Sequence, residues 1–334
     1  MSANDASPRF SIVVPTYNRA TTLQRTLDSC FAQTCTDFEV IIVDDGSSDG
    51  TLEALGANTD PRLVVVPQQN AGPAAARNHG MRRARGRYIA FLDSDDLWYP
   101  EFLATAQAQL DTEPDVLLYG QIIVDRGVGR YWIKPDRPLA EQESIYDFLY
   151  VHGGFIQTST LIVPQHLAAT VSWDESVTFG DNDQFAIDCW HTGIPFRMLP
   201  KALVLYADIV SPDALSQLPI YDGDSPKYTN FFRWMESQRP HMSEQARLGF
   251  EARFLSVGTA RRQPLKSFTY LWTAWRAGAI SASGVLRQMV QNYMPRTYRR
   301  LTDQYVRLRG QRLDVVEQFV GPVTEPATGP VIER

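Results

Sequence analysis

A run of carboxylates, Asp93-Ser94-Asp95-Asp96, directly follows the apolar stretch Tyr88–Leu92. Three carboxylates within four residues repel one another strongly unless a cation lies among them. A hard divalent ion is the natural partner, because such ions are held by one or two carboxylates together with substrate phosphates. A solvated acidic turn or helix cap is the alternative, although the apolar Leu97-Trp98 that follows argues against a freely solvated loop.

A second pair of carboxylates, Asp44 and Asp45, ends the apolar run Phe38–Val43. One of them could accept a hydrogen bond from the N–H of a nucleobase. Ser47 or Ser48 could cap the helix expected near Asp49. A well-capped turn explains the serines but not two carboxylates at the end of a strand.

Two further apolar runs end in polar residues, Pro15–Arg19 and Asn70–Pro73. Arg77 is expected one turn into the helix that follows the second of them. A guanidinium near a helix N-terminus suits a pyrophosphate. A surface arginine is the alternative interpretation of Arg77.

The polar clusters described above each follow an apolar run, and the apolar runs alternate with helical patterns. The four runs are Phe10–Val14, Phe38–Val43, Leu63–Val66 and Tyr88–Leu92. Such alternation predicts a parallel sheet covered on both faces. The carboxyl ends of its strands share one edge, where ligands bind, so the four polar clusters are expected to meet there.

Composition limits the class of protein. Hydrophobic residues make up 44% and charged residues 21% of the 334 residues, which is ordinary for a globular protein and excludes wholesale disorder, collagen and coiled coil. The formal net charge of −6 argues against a general nucleic-acid binder. Three cysteines do not make a disulfide framework, and they indicate reduced thiols. We see no signal-peptide core and no transmembrane run.

Four strings together resemble the family 2 glycosyltransferases, the inverting nucleotide-sugar transferases of the GT-A fold. They are Ser11–Arg19, Ile41–Gly50, Asn70–Gly80 and Ala84–Trp98, in the order and spacing of the family. The stretches Trp173–Ser176 and Gly180–Phe185 resemble its acceptor-side motifs. The resemblance covers about residues 8–210.

The resemblance implies a donor site. Residues like Pro15 and Tyr17 pack on the nucleobase, and the position of Asp45 accepts from uracil N3–H. The position of Arg77 contacts the base and phosphate region. The donor-binding set expected on this basis is Pro15, Thr16, Tyr17, Arg19, Asp44, Asp45, Asn70, Gly72, Arg77, Asp93, Ser94 and Asp95.

The resemblance also implies a metal ion, usually Mg²⁺ or Mn²⁺. Carboxylates like Asp93 and Asp95 hold the ribose and the metal-bound diphosphate, and the position of Asp96 is a direct metal ligand. The metal set expected here is therefore Asp95 and Asp96. Many members have a further histidine after the strand that ends near Tyr206. This chain has Asp208 there, as an extra metal ligand or as a surface acid.

The acceptor-side motif departs from the family. Many members have Gly-Glu-Asp, in which one acid is the catalytic base, whereas this chain has Gly180-Asp181-Asn182-Asp183. Asn182 cannot accept a proton at neutral pH. Asp181 aligns with the first acid and is the predicted base. Asp183 is the second choice, and its alternative role is an exposed charge in the first turn of a helix.

We therefore predict an α/β protein with a mostly parallel GT-A sheet flanked by helices and a helical C-terminal extension. The catalytic domain is expected at 8–225, with a nucleotide-binding half at 8–98 and an acceptor half at 99–225. A helical region at 226–312 and a flexible tail at 313–334 complete the chain. The predicted reaction moves a sugar, with inversion, from a UDP-sugar to a hydroxyl of a glycan or lipid-linked saccharide.

Other classes fit less well. A sugar-1-phosphate nucleotidyltransferase needs a glycine-rich loop after the first strand, and Pro15–Arg19 has no glycine. A dinucleotide-binding oxidoreductase needs GxGxxG there. A degenerate binding module would be expected to lose its site carboxylates. Asn230–Trp234 approaches the Gln-x-x-Arg-Trp motif of processive synthases, but we interpret Phe231 and Trp234 as helix-packing residues.

The segment 283–312 carries seven arginines and one acid, about +6 in an acidic chain. Basic and apolar residues at near-helical spacing predict a helix on an anionic membrane surface, broken near Pro295. This would make the enzyme cytoplasmic and peripheral on the inner face of the cell membrane. The alternative is a helix packed on the catalytic domain or a second subunit, its arginines paired with acids.

Overall fold

The computed structural model describes residues 7–208 and 226–313. Its strands are β1 Phe10–Thr16, β2 Phe38–Asp44, β3 Leu63–Pro67, β4 Tyr88–Phe91, β5 Leu97–Trp98, β6 Leu117–Tyr119, β7 Ile122–Asp125, β8 Tyr131–Lys134, β9 Ile162–Pro164, β10 Phe196–Met198 and β11 Val204–Ala207. Its α-helices are α1 Leu23–Phe31, α2 Thr51–Gly56, α3 Pro73–Arg83, α4 Phe102–Thr112, α5 Ile145–Tyr150, α6 Asp181–His191, α7 Pro226–Gln238, α8 Glu244–Phe250, α9 Ser256–Thr259, α10 Pro264–Arg276, α11 Ala282–Tyr293 and α12 Pro295–Arg309.

Seven strands form the main sheet in the order β10-β6-β9-β4-β1-β2-β3. Strands β1 to β4 are parallel, and the register pairs Thr16 with Asp44 and Asp44 with Pro67. Their carboxyl ends therefore share one edge, as predicted from the apolar runs. Strand β9 is antiparallel to both of its neighbours, so the sheet is only mostly parallel.

A second sheet, which we did not expect, has the order β5-β11-β7-β8. Strand β5 follows the carboxylate run at once and pairs antiparallel with β11. Asp93–Asp96 is therefore the connection between two sheets. Buried strands on both sides of this connection enclose Asp96, whereas Asp95 stays exposed.

Aromatic side chains form much of the core between the main sheet and helices α6, α7 and α8. Trp173 and Phe185 stack with centroids 4.2 Å apart, and Phe91 meets both rings edge-on. Phe231 of α7 is fully buried against Phe250 of α8. Phe231 and the partly buried Trp234 are packing residues, as the sequence predicted.

Helices α7 to α12 follow residue 226, which confirms the helical extension. A small cluster around Leu248, Leu271 and Ala274 joins α8 to α10. Within residues 7–208 and 226–313, none of the helices is both long enough and apolar enough to cross a bilayer. Of the predicted tail at 313–334, all residues after Leu313 lie outside the described residues.

Candidate functional site

The loops after β1 and β2 are tied together at the sheet edge. The backbone N–H of Asn18 donates to Ser47 Oγ at 2.9 Å, and the N–H of Ser48 donates to Asn18 Oδ1 at 2.9 Å. Asn18 has a left-handed φ of 52°, which asparagine tolerates. Helix α2 begins after Gly50 without a side-chain cap, so the prediction of a serine cap was wrong.

Asp45 organises the loop between β3 and α3. Its carboxylate accepts from Gln68 Nε2, from the N–H of Ala71 and from the N–H of Gly72, each at 2.8 Å. Asn70 Nδ2 donates to the backbone carbonyl of Asp45 at 2.9 Å. A carboxylate has about four acceptor positions, so Asp45 retains one for a ligand.

Two buried oxygens at the same edge have no hydrogen-bond partner among the described residues. They are Thr16 Oγ1 and Asp44 Oδ1, on residues paired across β1 and β2. Unpaired buried polar atoms are costly and commonly mark a missing ligand or water. Pro15 is buried beside them, whereas Tyr17 is 49% exposed and free to stack.

Arg77 connects the carboxylate run after β4 with the start of α6. From the first turns of α3 it donates to Asp93 at 2.7 Å and to Asp181 at 2.8 Å. Its guanidinium carbon lies 4.5 Å from the centroid of the Trp173 ring, and its side chain is only 5% exposed. Burial opposes the charge, but the attraction of the two carboxylates outweighs it and raises the pKa of Arg77.

Asp96 is the most enclosed member of the carboxylate run, at 1% exposure. Ser159 Oγ donates to it at 2.6 Å, Gln157 Nε2 at 3.1 Å and the N–H of Ala207 at 3.3 Å. Burial, followed by repulsion from Asp95 and Asp93, nevertheless raises its pKa well above the ordinary value. The neighbouring protein groups therefore do not neutralise all the negative charge of Asp93–Asp96.

Asp95 points to the open side of the run, with its side chain 47% exposed and 3.3 Å from Arg19. Partial desolvation of the carboxyl group and repulsion from Asp93 raise the pKa of Asp95, while Arg19 opposes the rise. No group of three or more His, Cys, Asp or Glu side chains in the described part of the chain is arranged to hold a metal alone. The residues fit an ion completed by substrate phosphates, because undercompensated carboxylates are hard-cation ligands. Ser94 beside them is buried.

The two acids of the acceptor-side motif stand in different surroundings at the start of α6. Asp181 contacts Arg77, as described above. Asp183 accepts from Tyr150 Oη at 3.0 Å. Burial raises the pKa of Asp183 to about 6, with Asp181 adding to the rise and the Tyr150 hydrogen bond opposing it. Asn182 Oδ1 accepts from Thr158.

Two arginines form ion pairs with Asp208. Its Oδ2 lies 2.7 Å from Arg126 Nη1 and its Oδ1 lies 3.1 Å from Arg299 Nη1. Two guanidinium groups thus supply the positive charge that a metal would supply, and we leave Asp208 out of the proposed metal set. Arg126 also pairs with Asp303 of α12 at 2.8 Å, and this ion pair connects α12 to the end of β7.

Three residues of the site were not expected from the sequence. Gln157 and Ser159 lie in and beside a short 3₁₀ turn and contact Asp96, while Tyr150 ends α5 and contacts Asp183. They are 33 to 63 residues away in sequence from the acids that they contact. No motif or spacing identifies them.

Comparison with known proteins decides the family. The model of glycosyl transferase family 2 matches residues 11–169. The amylovoran biosynthesis glycosyltransferase AmsB of Erwinia amylovora is 30% identical over 246 residues, which are 71% of this chain and 79% of that protein. This chain is a family 2 glycosyltransferase. The PGL/p-HBAD biosynthesis glycosyltransferase of Mycobacterium bovis is 34% identical over 52% of this chain and 70% of its own length.

Solved structures confirm the GT-A architecture of this glycosyltransferase. Residues 1–349 of S. aureus TarS in complex with UDP-GlcNAc superpose with a TM-score of 0.61 at 19% identity, covering 90% of this chain and 87% of that one. The mannosyltransferase PcManGT of Pyrobaculum calidifontis, with GDP-Man and Mn²⁺, gives 0.54 at 20% identity, covering 90% and 86%. At such identities the likeness concerns the fold alone.

Proposed function

We propose that this glycosyltransferase moves a sugar, with inversion, from a UDP-sugar to a hydroxyl of a saccharide acceptor. The observation that carries the proposal is the double ion pair of Arg77 with Asp93 and Asp181. One guanidinium thus binds Asp93, on the donor side, and Asp181, on the acceptor side. A base for the acceptor hydroxyl and groups that bind the leaving diphosphate therefore share one site.

A nucleoside diphosphate donor is supported by the groups along the sheet edge. Thr16 Oγ1 and Asp44 Oδ1 have no hydrogen-bond partner in the described part of the chain. Asp45 retains an acceptor position, and Tyr17 is exposed beside them. Acceptor oxygens next to a free aromatic ring suit the N–H and the flat face of a base. Of the neighbouring structures, one holds UDP-GlcNAc and another GDP-Man. The uracil preference remains part of our proposal.

Each residue has a distinct task in this proposal. Asp181 accepts the proton of the acceptor hydroxyl as that oxygen attacks the anomeric carbon. Arg77 orients Asp181 and adds positive charge near the departing diphosphate. Asp95 and Asp96 would hold a Mg²⁺ or Mn²⁺ ion, which when bound neutralises charge on that diphosphate. Because Arg77 holds Asp93 and Asp181 in fixed positions, the acceptor hydroxyl and the departing diphosphate can be aligned for in-line displacement.

The base assignment predicts that Asp181→Asn abolishes transfer, because the amide keeps the shape but accepts no proton. UDP affinity should stay within a few-fold, since Asp181 lies on the acceptor side. Released UDP and the anomeric configuration of the product, read by NMR, measure the reaction. An inactive Asp183→Asn together with an active Asp181→Asn would move the base to Asp183, and a retained anomer would overturn inversion.

The metal assignment predicts almost no turnover in excess chelator. Asp96→Ala should lose at least ~100-fold in rate, the order expected when electrostatic stabilisation of a leaving group is removed. Titration of Mg²⁺ and Mn²⁺ into stripped protein gives the measurement, and Asp115→Ala serves as a control outside the site. Full turnover in chelator would remove the metal from the mechanism.

The acceptor is proposed to be a glycan, free or lipid-linked, of a polysaccharide assembly reaction, the class in which AmsB is named. An anionic membrane surface bound through residues 283–312 would bring the enzyme to such an acceptor, on the cytoplasmic face of the membrane. Arg296, Arg300 and Arg307 are exposed, whereas Arg299 is committed to Asp208. Helix α12 thus contributes one arginine to an internal ion pair and leaves these three others exposed.

A further inference from the structure

We propose that the cavity between β8, the end of α5 and the start of α11 binds a phosphoryl group of the acceptor through Arg253 and Arg287. The inference rests on the proposed function, since it concerns the second substrate of the same reaction. The shared chemistry is a phosphate ester or diphosphate. It could belong to a lipid carrier or to the glycan itself.

The cavity has a volume of about 560 Å³. That size lies within the range of ordinary small-molecule sites. Trp132 and Lys134 of β8 line one side, and His152 and Gly153, after α5, line another. The far side is formed by the first turn of α11, where Ser281 caps the helix by accepting from the N–H of Gly284. An aromatic ring and a helix N-terminus are thus both available to a sugar phosphate.

The lining is positively charged in an otherwise acidic protein. Three lining cations, Lys134, Arg253 and Arg287, oppose one acid, Asp136, which leaves +2 if His152 is neutral. Asp136 is already paired with Lys134 at 2.8 Å. Among the described residues, no carboxylate forms an ion pair with either arginine. The uncompensated charge therefore lies on the two guanidinium groups.

Arg253 is held in place for such a role. Its guanidinium donates to the carbonyls of Leu149 and Val151 at 3.2 and 3.3 Å. Its other N–H groups have no acceptor among the residues that the structure describes. It lies close against Gly153, where even a methyl group would come within 3.3 Å of its Nη2. Burial and then repulsion from Arg287 lower the pKa of Arg253, with Asp183 and Tyr150 opposing. An oxyanion between the arginines would relieve that repulsion.

The cavity adjoins the reacting centre through one short segment. Tyr150, which contacts Asp183, is two residues before His152 of the cavity wall. Gln157, which contacts Asp96, is four residues after Gly153, so those two Cα atoms are at most ~14 Å apart even in an extended chain. A saccharide with its phosphate in the cavity could therefore present a hydroxyl to the proposed base.

Calorimetric titration with α-glucose 1-phosphate, in saturating UDP and Mg²⁺ to fill the donor site, tests the proposal. We expect binding of glucose 1-phosphate and none of glucose. Arg287→Gln should weaken it at least ~10-fold, because a charged hydrogen-bond donor is removed at an exposed position that folding does not need. Arg276→Gln, an exposed arginine outside the cavity, should bind like the unmodified protein.

Geranyl diphosphate, titrated in the same way, distinguishes the two sources. Tighter binding than glucose 1-phosphate assigns the phosphate to a lipid carrier, and weaker binding assigns it to the glycan. Absence of binding by both probes, or equal affinities for the Arg287→Gln and unmodified proteins, overturns the inference. UDP release from UDP-sugars, measured alongside, separates the hypotheses: turnover without probe binding rejects only the cavity, and probe binding without turnover rejects the proposed function.

Discussion

At the scale of the residue, Asp183 gives the sharpest expectation for pH. Its pKa is raised from 3.8 to about 6 in the folded protein, chiefly by burial. Between about pH 4 and 6 the folded chain holds a proton that the unfolded chain has lost, so this group's contribution to stability falls as pH rises through that window. Asp183→Asn keeps an acceptor for Tyr150 and removes the titration. The free energy of unfolding of the variant, relative to that of the unmodified protein, should rise by about 2 kcal/mol between pH 4 and pH 7.

Urea unfolding at both pH values measures this difference. Asp111→Asn on the surface is the matched control and should show no comparable gain. An equal stability difference between Asp183→Asn and the unmodified protein at pH 4 and pH 7 would contradict a raised pKa at Asp183.

Sequence reasoning found the charged residues of the site better than their partners. Arg77 and the acids at 93–96 stand in recognisable strings, and the family resemblance is now confirmed. That Arg77 contacts Asp181, 104 residues later, was not predictable, because only the fold brings them together. Asp208 shows the same limit, since its partner Arg299 lies 91 residues further along the chain.

At the scale of the element, the position of α3 depends on a close approach to β1. A Cβ on Gly80 would lie 2.3 Å from Val13 Cγ1, so any side chain at this position would collide with β1. Gly80→Ala should destabilise the protein by ~1–3 kcal/mol through overpacking. Because Arg77 is one turn away on α3, transfer should fall as well. Denaturant unfolding and UDP release measure the two effects.

Gly56→Ala is the control for this prediction. Gly56 ends α2, and among the described residues no atom outside its own helix backbone and chain neighbours lies within 4 Å of its added Cβ. Alanine there should therefore be neutral or slightly stabilising. If Gly80→Ala were as stable as Gly56→Ala, the tight contact between α3 and β1 would not constrain the site.

The longer elements were predictable because their side chains repeat with a clear period. Four apolar runs predicted β1 to β4, and their parallel pairing followed from the intervening helices. Strand β5 has two residues and β9 three, too few to show any period. Their place in the two sheets is set by partners distant in sequence, which is why the second sheet and the antiparallel direction of β9 were not predicted.

At the scale of the whole molecule, exposed apolar residues are concentrated on α10, α11 and α12. Ten of the thirteen large hydrophobic side chains exposed in the described part of the chain lie on or between these helices. They are Leu265, Phe268, Trp272, Trp275, Leu286, Tyr293, Met294, Leu301, Tyr305 and Leu308. Meanwhile Gln288 and Asn292 are buried, so polar groups face inward. Apolar residues mixed with exposed arginines fit an anionic lipid surface.

The unmodified protein should therefore sediment with phosphatidylglycerol vesicles at low salt and be released at high salt. Changing Arg296, Arg300 and Arg307 to Gln should abolish binding, since each well-placed arginine contributes ~1 kcal/mol. Arg25, Arg82 and Arg83 changed to Gln provide a control of equal charge on the other part of the molecule. Indifference to vesicles at every salt concentration, or a dimer that covers these helices in solution, would reject the membrane surface.

The ion pairs of α12 bear on whether the catalytic domain can be produced alone. Arg126 is 9% exposed and is shared between Asp208 and Asp303, while Arg299 holds the other side of Asp208. A chain truncated before Pro295 would lack Arg299 and Asp303, so Asp208 and Arg126 would each lose one ion-pair partner. Asp208 lies one residue after β11, whose last residue, Ala207, binds Asp96 through its N–H. We therefore expect truncation at this point to impair catalysis even with every site residue present.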